Sequence, residues 1–327
     1  MSNQIAIEGF LSEVYPLEYV TMEGAALISE NEEIATEGAI GDKIKGVISK
    51  FVAWVQKLVS AIRAKIGNIF SKITAKRQAI ASIDVVPHGL EELVKPAINA
   101  FGNVNEIPGE LDKITQFTDA ALNQFKTGSF SIDWGSFVKM ADEYKKEALN
   151  CREYVEKINS WRSSGKFENE TAAPSNIPKQ IAKSMDECQA VVKKINDKIG
   201  TIKLLTNPSE IAHLAQNAGL KDGENDKYVV DFTNVMIKVY NTLPAMFHYT
   251  EAVIAIGNAF LFAYSAWKAE NRGNVKNAQK AAYKSGYRDE PDKEARRDIK
   301  EQRDALRKEK AKFYKQAAGD RHDTSRS

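Results

Sequence analysis

The sequence predicts an all-α fold: a bundle of long antiparallel helices, with a basic amphipathic helix near the N-terminus and a polar basic helix at the C-terminus. Three observations predict it. Ile44, Val47, Ile48, Phe51, Val52, Val55, Leu58, Val59, Ile62, Ile66, Ile69, Phe70 and Ile73 follow three- and four-residue steps, one helix face for about eight turns. No run alternates with the two-residue period of a half-buried strand. Gly, Pro, Asn and Ser cluster between the periodic stretches, as loops require.

Taken in order, residues 1–37 carry small apolar clusters, acids and glycines without a sustained period. They read as a mobile segment, or as short helices around 11–19 and 25–28. The clearest helix spans 40–81, with Asp42 as its N-cap and Lys50, Lys57 and Lys72 opposite the apolar face. Gly46 and Gly67 each weaken it by roughly 1 kcal/mol relative to Ala. Residues 82–87 break the pattern. Helical periods then cover about 89–101, 109–126, 134–163, 176–204, 208–218, 225–270 and 290–317. Pro96 starts or kinks the first of these, and Pro244 divides the long 225–270 stretch. Residues 252–267, AVIAIGNAFLFAYSAW, are free of charge but shorter than the roughly 18–20 residues of a membrane span, and read as a buried core helix. Near the C-terminus Ile299, Leu306 and Phe313 recur every seventh residue, with Ala295 one turn earlier. That thin seam suits a helix lying on a partner or on the bundle, and 319–327 are expected to be disordered. The chain divides as an acidic segment 1–37, a basic amphipathic helix 38–83, a helical bundle 84–274 and a basic tail 275–327.

Composition is ordinary for a globular protein, 43% hydrophobic and 28% charged, and a net charge of +2 implies no partner by itself. Cys151 and Cys188 have no CxxC spacing and form no disulfide framework, so a reducing compartment, or indifference to redox, is expected. The first 30 residues lack the basic start and continuous apolar core of a secretory signal.

The net charge hides a segregation. Residues 1–37 hold eight Glu and no Lys or Arg. Residues 38–83 hold Asp42 against nine cations: Lys43, Lys45, Lys50, Lys57, Arg63, Lys65, Lys72, Lys76 and Arg77. An acidic segment beside a basic one suggests mutual neutralisation, and loss of 1–37 would raise the net charge from +2 to +10.

No catalytic set emerges. His88, His213, His248 and His322 are scattered, without His or Cys at metal-ligand spacing. Glu91-Glu92 and Asp186-Glu187 read as solvated faces, and His248 as a satisfied core histidine. No catalytic residue, cofactor or metal ligand is assigned, and the expectation is a protein that is not an enzyme.

One short motif recurs. Residues 5–9 read IAIEG, 20–24 read VTMEG and 34–38 read IATEG, and Glu-Gly occurs nowhere else in the chain. The steps of 15 and 14 residues are too loose and too short for a structural repeat. A protease needs no regular spacing; it needs an accessible, extendable segment, and Gly after the cut supplies freedom to extend. Cleavage is therefore expected at Glu8-Gly9, Glu23-Gly24 and Glu37-Gly38. The small-x-Glu-Gly pattern near the N-terminus resembles the maturation sites in head proteins of large tailed phages, particularly the giant phiKZ-like ones. It departs from the T-even pattern, which wants Ile or Leu two before Glu; Leu11-Ser12-Glu13 and Ile28-Ser29-Glu30 meet that rule but lack the Gly.

The resemblance implies a virion structural or internal head protein, cut by a prohead protease. It would lie in the capsid interior, and in the host cytoplasm during assembly or after ejection with the genome. Its partners would be other virion proteins and, through the nine cations, DNA bound without sequence preference by counterion release. A second reading uses the same helix differently. Lys on one face, with Ile, Val, Phe and Trp54 on the other, also suits a membrane surface, giving a membrane-active helical protein kept inactive by its acidic head. The two separate on whether the apolar face is free to meet lipid.

Overall fold

The computed structural model describes residues 16–36, 41–99, 101–127, 133–165, 167, 170–199, 224–271, 273 and 275. The order is α1 (Pro16–Thr36), α2 (Gly41–Ala81), β1 (Val85–Pro87), α3 (His88–Asn99), a 3-10 turn (Gly102–Glu106), α4 (Ile107–Thr127), α5 (Gly135–Ser164), β2 (Ala172–Pro174), α6 (Ile177–Ile199), α7 (Glu224–Tyr240) and α8 (Thr242–Glu270). The all-α bundle is the architecture observed. The expected helices 208–218 and 290–317, and the tail 319–327, lie outside the described residues.

The core is organised around α8. This helix is apolar around most of its circumference, which favours burial, and only a narrow side with Phe262 and Ser265 is exposed. Residues 252–267 sit inside it, with Val253, Ile256, Phe260, Ala263 and Trp267 buried. The stretch Lys227–Glu270 is long and apolar enough by composition to cross a membrane, yet about half of its most apolar window is buried inside the bundle. A core helix passes the same test. Helix α5 runs along α8 as its most extensive neighbour, and α6 and α2 flank it. Tyr144 of α5 meets Tyr249 of α8 at 5.6 Å between ring centroids. Phe125 of α4 stacks on Tyr228 of α7 at 5.0 Å and meets Phe232 of the same helix at a tilt, 4.2 Å between centroids.

Helix α2 buries two neighbouring stripes. Val47, Phe51, Trp54, Leu58 and Ala61 form one; Ile48, Val52, Val55, Val59, Ile62, Ile66, Ile69 and Ile73 form the other. Each steps by four and three residues, the spacing that keeps a stripe against a partner helix. With two stripes filled, α2 is covered by α1, α6, α7 and α8. It begins at Gly41, so Asp42 lies in its first turn rather than before it.

Three helix starts are secured by side-chain oxygens, which accept backbone N–H groups that lack intrahelical partners. Glu170 accepts from Gly89 at 3.0 Å, Asp133 from Gly135 at 2.8 Å and Ser175 from Ile177 at 3.2 Å. Helix α5 ends at Gly165, whose φ of +62° suits only a residue without a Cβ. Pro96 is accommodated inside α3. The long 225–270 stretch breaks at Asn241, three residues before Pro244, which occupies the first turn of α8.

Two sequence expectations are corrected. Residues 82–87 contain a strand, since β1 pairs antiparallel with β2 in the register Val85↔Pro174, Val86↔Ala173, Pro87↔Ala172. Three-residue strands are too short to display a period. Within 1–37, α1 is one helix of 21 residues rather than short pieces.

Candidate functional site

The site is the seat of α1. Read along the helix, Leu17, Val20, Gly24, Leu27, Asn31 and Ile34 follow steps of three and four residues, a seam of coiled-coil type. Leu17, Val20, Gly24 and Asn31 are buried, and Leu27 and Ile34 pack on the core half-exposed. The apolar pattern was hidden because a glycine and an asparagine occupy two seam positions. Pro16 opens the helix where its missing N–H costs nothing.

Each irregular seam residue has a partner. An added Cβ at Gly24 would lie 2.9 Å from Cε2, Cζ2 and Nε1 of Trp54. The indole therefore rests on the α1 backbone, and it is pinned there because Nε1–H donates to the Val20 carbonyl at 2.7 Å. Asn31 Nδ2 donates to Asn234 Oδ1 of α7 at 2.8 Å, both residues being buried. A buried amide pair of this kind defines register, because any slip leaves both groups unpaired.

Charge follows the same register. Lys50 pairs with Glu30, and Lys57 with Glu23 at 2.5 Å. Seven residues forward on α2 match seven backward on α1, as antiparallel helices demand. Further along, Lys65 of α2 lies 3.9 Å from Glu18 and 3.1 Å from Glu251 of α8. His248 bridges the same two carboxylates, 3.6 Å from Glu18 and 3.5 Å from Glu251. Burial alone would raise the Glu251 pKa; His248 and Lys65 outweigh it and hold the carboxyl below its usual value. His248 is thus a histidine satisfied by two carboxylates, as expected, although partly exposed rather than inside the core. A shallow cleft of ≈ 250 Å³ lies beside the ladder, lined by Glu23, Leu27, Glu30, Lys50, Trp54 and Lys57.

Magnitudes decide what holds α1. Half-exposed ion pairs contribute about 0–1 kcal/mol each. Burying a Leu or Val side chain contributes roughly 1.5–3 kcal/mol. The apolar seam and the Trp54 contact therefore carry the docking, and the ladder sets register and neutralises the lysines.

The nine cations named from sequence do not make one open face. Lys50, Lys57 and Lys65 are paired as above, and Arg77 meets Asp186 of α6 at 2.5 Å. Lys76 lies 5.2 Å from the Phe262 ring centroid. Lys45 and Arg63 are exposed, and Lys45 also has an interaction partner. The side chains of Lys43 and Lys72 lie outside the described residues. Of the cleavage pairs, Glu8-Gly9 and Glu37-Gly38 also lie outside them. Glu23-Gly24 is mid-helix, the reverse of the extended segment expected. Glu18, Asn31, Asn234 and Glu251 were not singled out by sequence, although the matched seven-residue steps of Glu23/Glu30 and Lys50/Lys57 carry the signal.

Among the described residues no three His, Cys, Asp or Glu are grouped to hold a metal ion. Cys151 and Cys188 are buried thiols, and burial pushes Cys151 up to about 12 and Cys188 upward as well. No protein-family model, curated protein or solved structure matches the chain.

Proposed function

We propose that this is a proteolytically matured protein of a tailed-phage head, whose acidic N-terminal helix masks a basic helix until a prohead protease removes it. The observation that carries the reading is the α1 seat: three Glu of the acidic segment, including Glu23 of the repeated motif, face Lys50, Lys57 and Lys65 of α2. A segment that only raised solubility would need no register, yet this one is matched to its partner residue by residue. Removal of 1–37 would leave Lys50 and Lys57 without their carboxylates and raise the net charge to +10. The uncovered face would then suit packaged DNA or acidic proteins of the capsid interior. Capsid placement and the protease rest on the motif resemblance.

The motif resemblance, rather than burial, favours this reading over a membrane-active one: both apolar stripes of α2, Trp54 included, are buried while α1 is seated, but removal of α1 would uncover the Trp54 stripe together with the lysines. An interfacial helix needs an apolar face free to enter lipid.

The test is duplex-DNA binding by the full-length chain and by the chain cut at Glu37 and freed of residues 1–37, measured across a salt series. Unmasking two to three lysines predicts a log–log salt slope steeper by about two to three after the cut. Equal affinity and equal slopes would sink the masking role.

A further inference from the structure

The Glu23-Gly24 bond raises a problem that the motif alone does not. A protease draws the chain around its target into an extended conformation. Here the bond lies inside a 21-residue helix, with Gly24 buried beneath the Trp54 indole and Glu23 paired to Lys57. Extending it requires breaking the Trp54–Val20 hydrogen bond, the Glu23–Lys57 pair and the helix on both sides of the bond.

From this we infer that Glu23-Gly24 is a gated second-stage cleavage site, closed while α1 is seated on Trp54 and opened only by undocking of α1, so that cutting there makes release irreversible. The inference rests on the maturation reading for its biological setting, but the gate is a property of the fold. Cleavage of a protected bond tracks the population of the open form when opening and closing are fast. A first cut elsewhere removes the covalent tether of α1, not its seam. The peptide stays seated, because Leu17, Val20 and the Trp54 contact are untouched by it.

The second cut acts differently. Hydrolysis adds one water across the Glu23–Gly24 amide, leaving a carboxylate on Glu23 and an ammonium on Gly24. The new ammonium would have to re-enter a buried position against the indole, and an uncompensated buried charge is strongly disfavoured. The cut also divides α1 into pieces of 8 and 13 residues, at or below the roughly 12–15 residues an isolated helix needs. Neither piece retains the full seam. Gly24 thus serves twice: it admits the indole when α1 is docked, and it offers a permissive residue after the cut when α1 is free.

The experiment treats the full-length protein with a glutamyl endopeptidase and follows each cut by intact mass against time. Three proteins are compared: wild type, Trp54→Ala and Lys57→Glu. Neither substitution alters the target sequence. Trp54→Ala removes the pinning indole, and Lys57→Glu sets a like charge against Glu23. Cuts after the α5 residues Glu147, Glu153 and Glu156 report global unfolding. The inference expects cleavage after Glu23 to accelerate roughly a hundredfold in Trp54→Ala and about tenfold in Lys57→Glu, while α5 stays intact. If α5 is cut in Trp54→Ala, Lys57→Glu alone decides. Equal rates after Glu23 with α5 intact overturn the gate. An uncut N-terminus in protein from the native source would instead count against the maturation reading, leaving the gate measurable.

Discussion

Gly24→Ala is the smallest change that addresses the seat of α1. Two effects oppose each other. Alanine favours a helix interior over glycine by about 0.8–1.0 kcal/mol. Against that, the new Cβ sits 2.9 Å from three indole atoms of Trp54, well inside ordinary contact distance. The indole cannot slide aside freely, because its Nε1–H is held by the Val20 carbonyl at 2.7 Å and Phe51 stacks at 6.3 Å between centroids. Overpacking of this kind costs about 1–3 kcal/mol, and swinging the ring out forfeits a hydrogen bond contributing about 0.5–1.5 kcal/mol. Net destabilisation of α1 docking is therefore about 1–2 kcal/mol, a five- to thirtyfold rise in the open population. The assay is native-state hydrogen exchange by mass spectrometry on peptides within 16–36, with peptides of α5 and α8 as references. Faster exchange confined to α1 is expected. Unchanged or slower exchange in α1, with a raised melting temperature, would mean that the indole yields to a Cβ and would return Gly24 to an ordinary helix position.

Other perturbations bear on the same seat and on the core beneath it. Asn31→Ala leaves the Asn234 amide buried without its partner and should cost about 1–3 kcal/mol, whereas replacing both by Leu should be closer to neutral, read as a double-mutant cycle in urea. Glu251 has a folded pKa below its unfolded one, so its contribution is present above the unfolded value near 4.5 and is lost as pH falls through the folded value. Glu251→Gln should flatten the fall in melting temperature as pH drops below the unfolded value, and an unchanged acid limb would contradict the assignment. Cys151 and Cys188 should resist alkylation at pH 8 in the native protein and react on unfolding, because burial disfavours both thiolates.

Much of the bundle is legible in the sequence because its signals are redundant. The α2 stripes extend over many turns, so two glycines do not obscure them. The charge-free stretch of α8 announces a core helix, although Phe262 and Ser265 lie on an exposed side. Three features escape for stated reasons. The α1 seam spends two of its six positions on Gly24 and Asn31, so an apolar count finds no period, though steps of three and four residues run through both. The pairing of β1 with β2 joins segments far apart in sequence through three residues each. The placement of Glu18 beside His248 and Glu251 is long-range, and nothing local to any of these residues announces it. The charge segregation was readable; that it becomes a registered ladder required the fold.

Whether the acidic helix is the removable mask proposed above is decided most directly by the N-terminus of the protein taken from its native source. Intact mass and N-terminal sequencing together define it. A masking helix predicts a chain beginning at Gly38, or an intermediate beginning at Gly9 or Gly24. A mature protein that retains residues 1–37 throughout would contradict it, and α1 would then be a permanent member of the bundle.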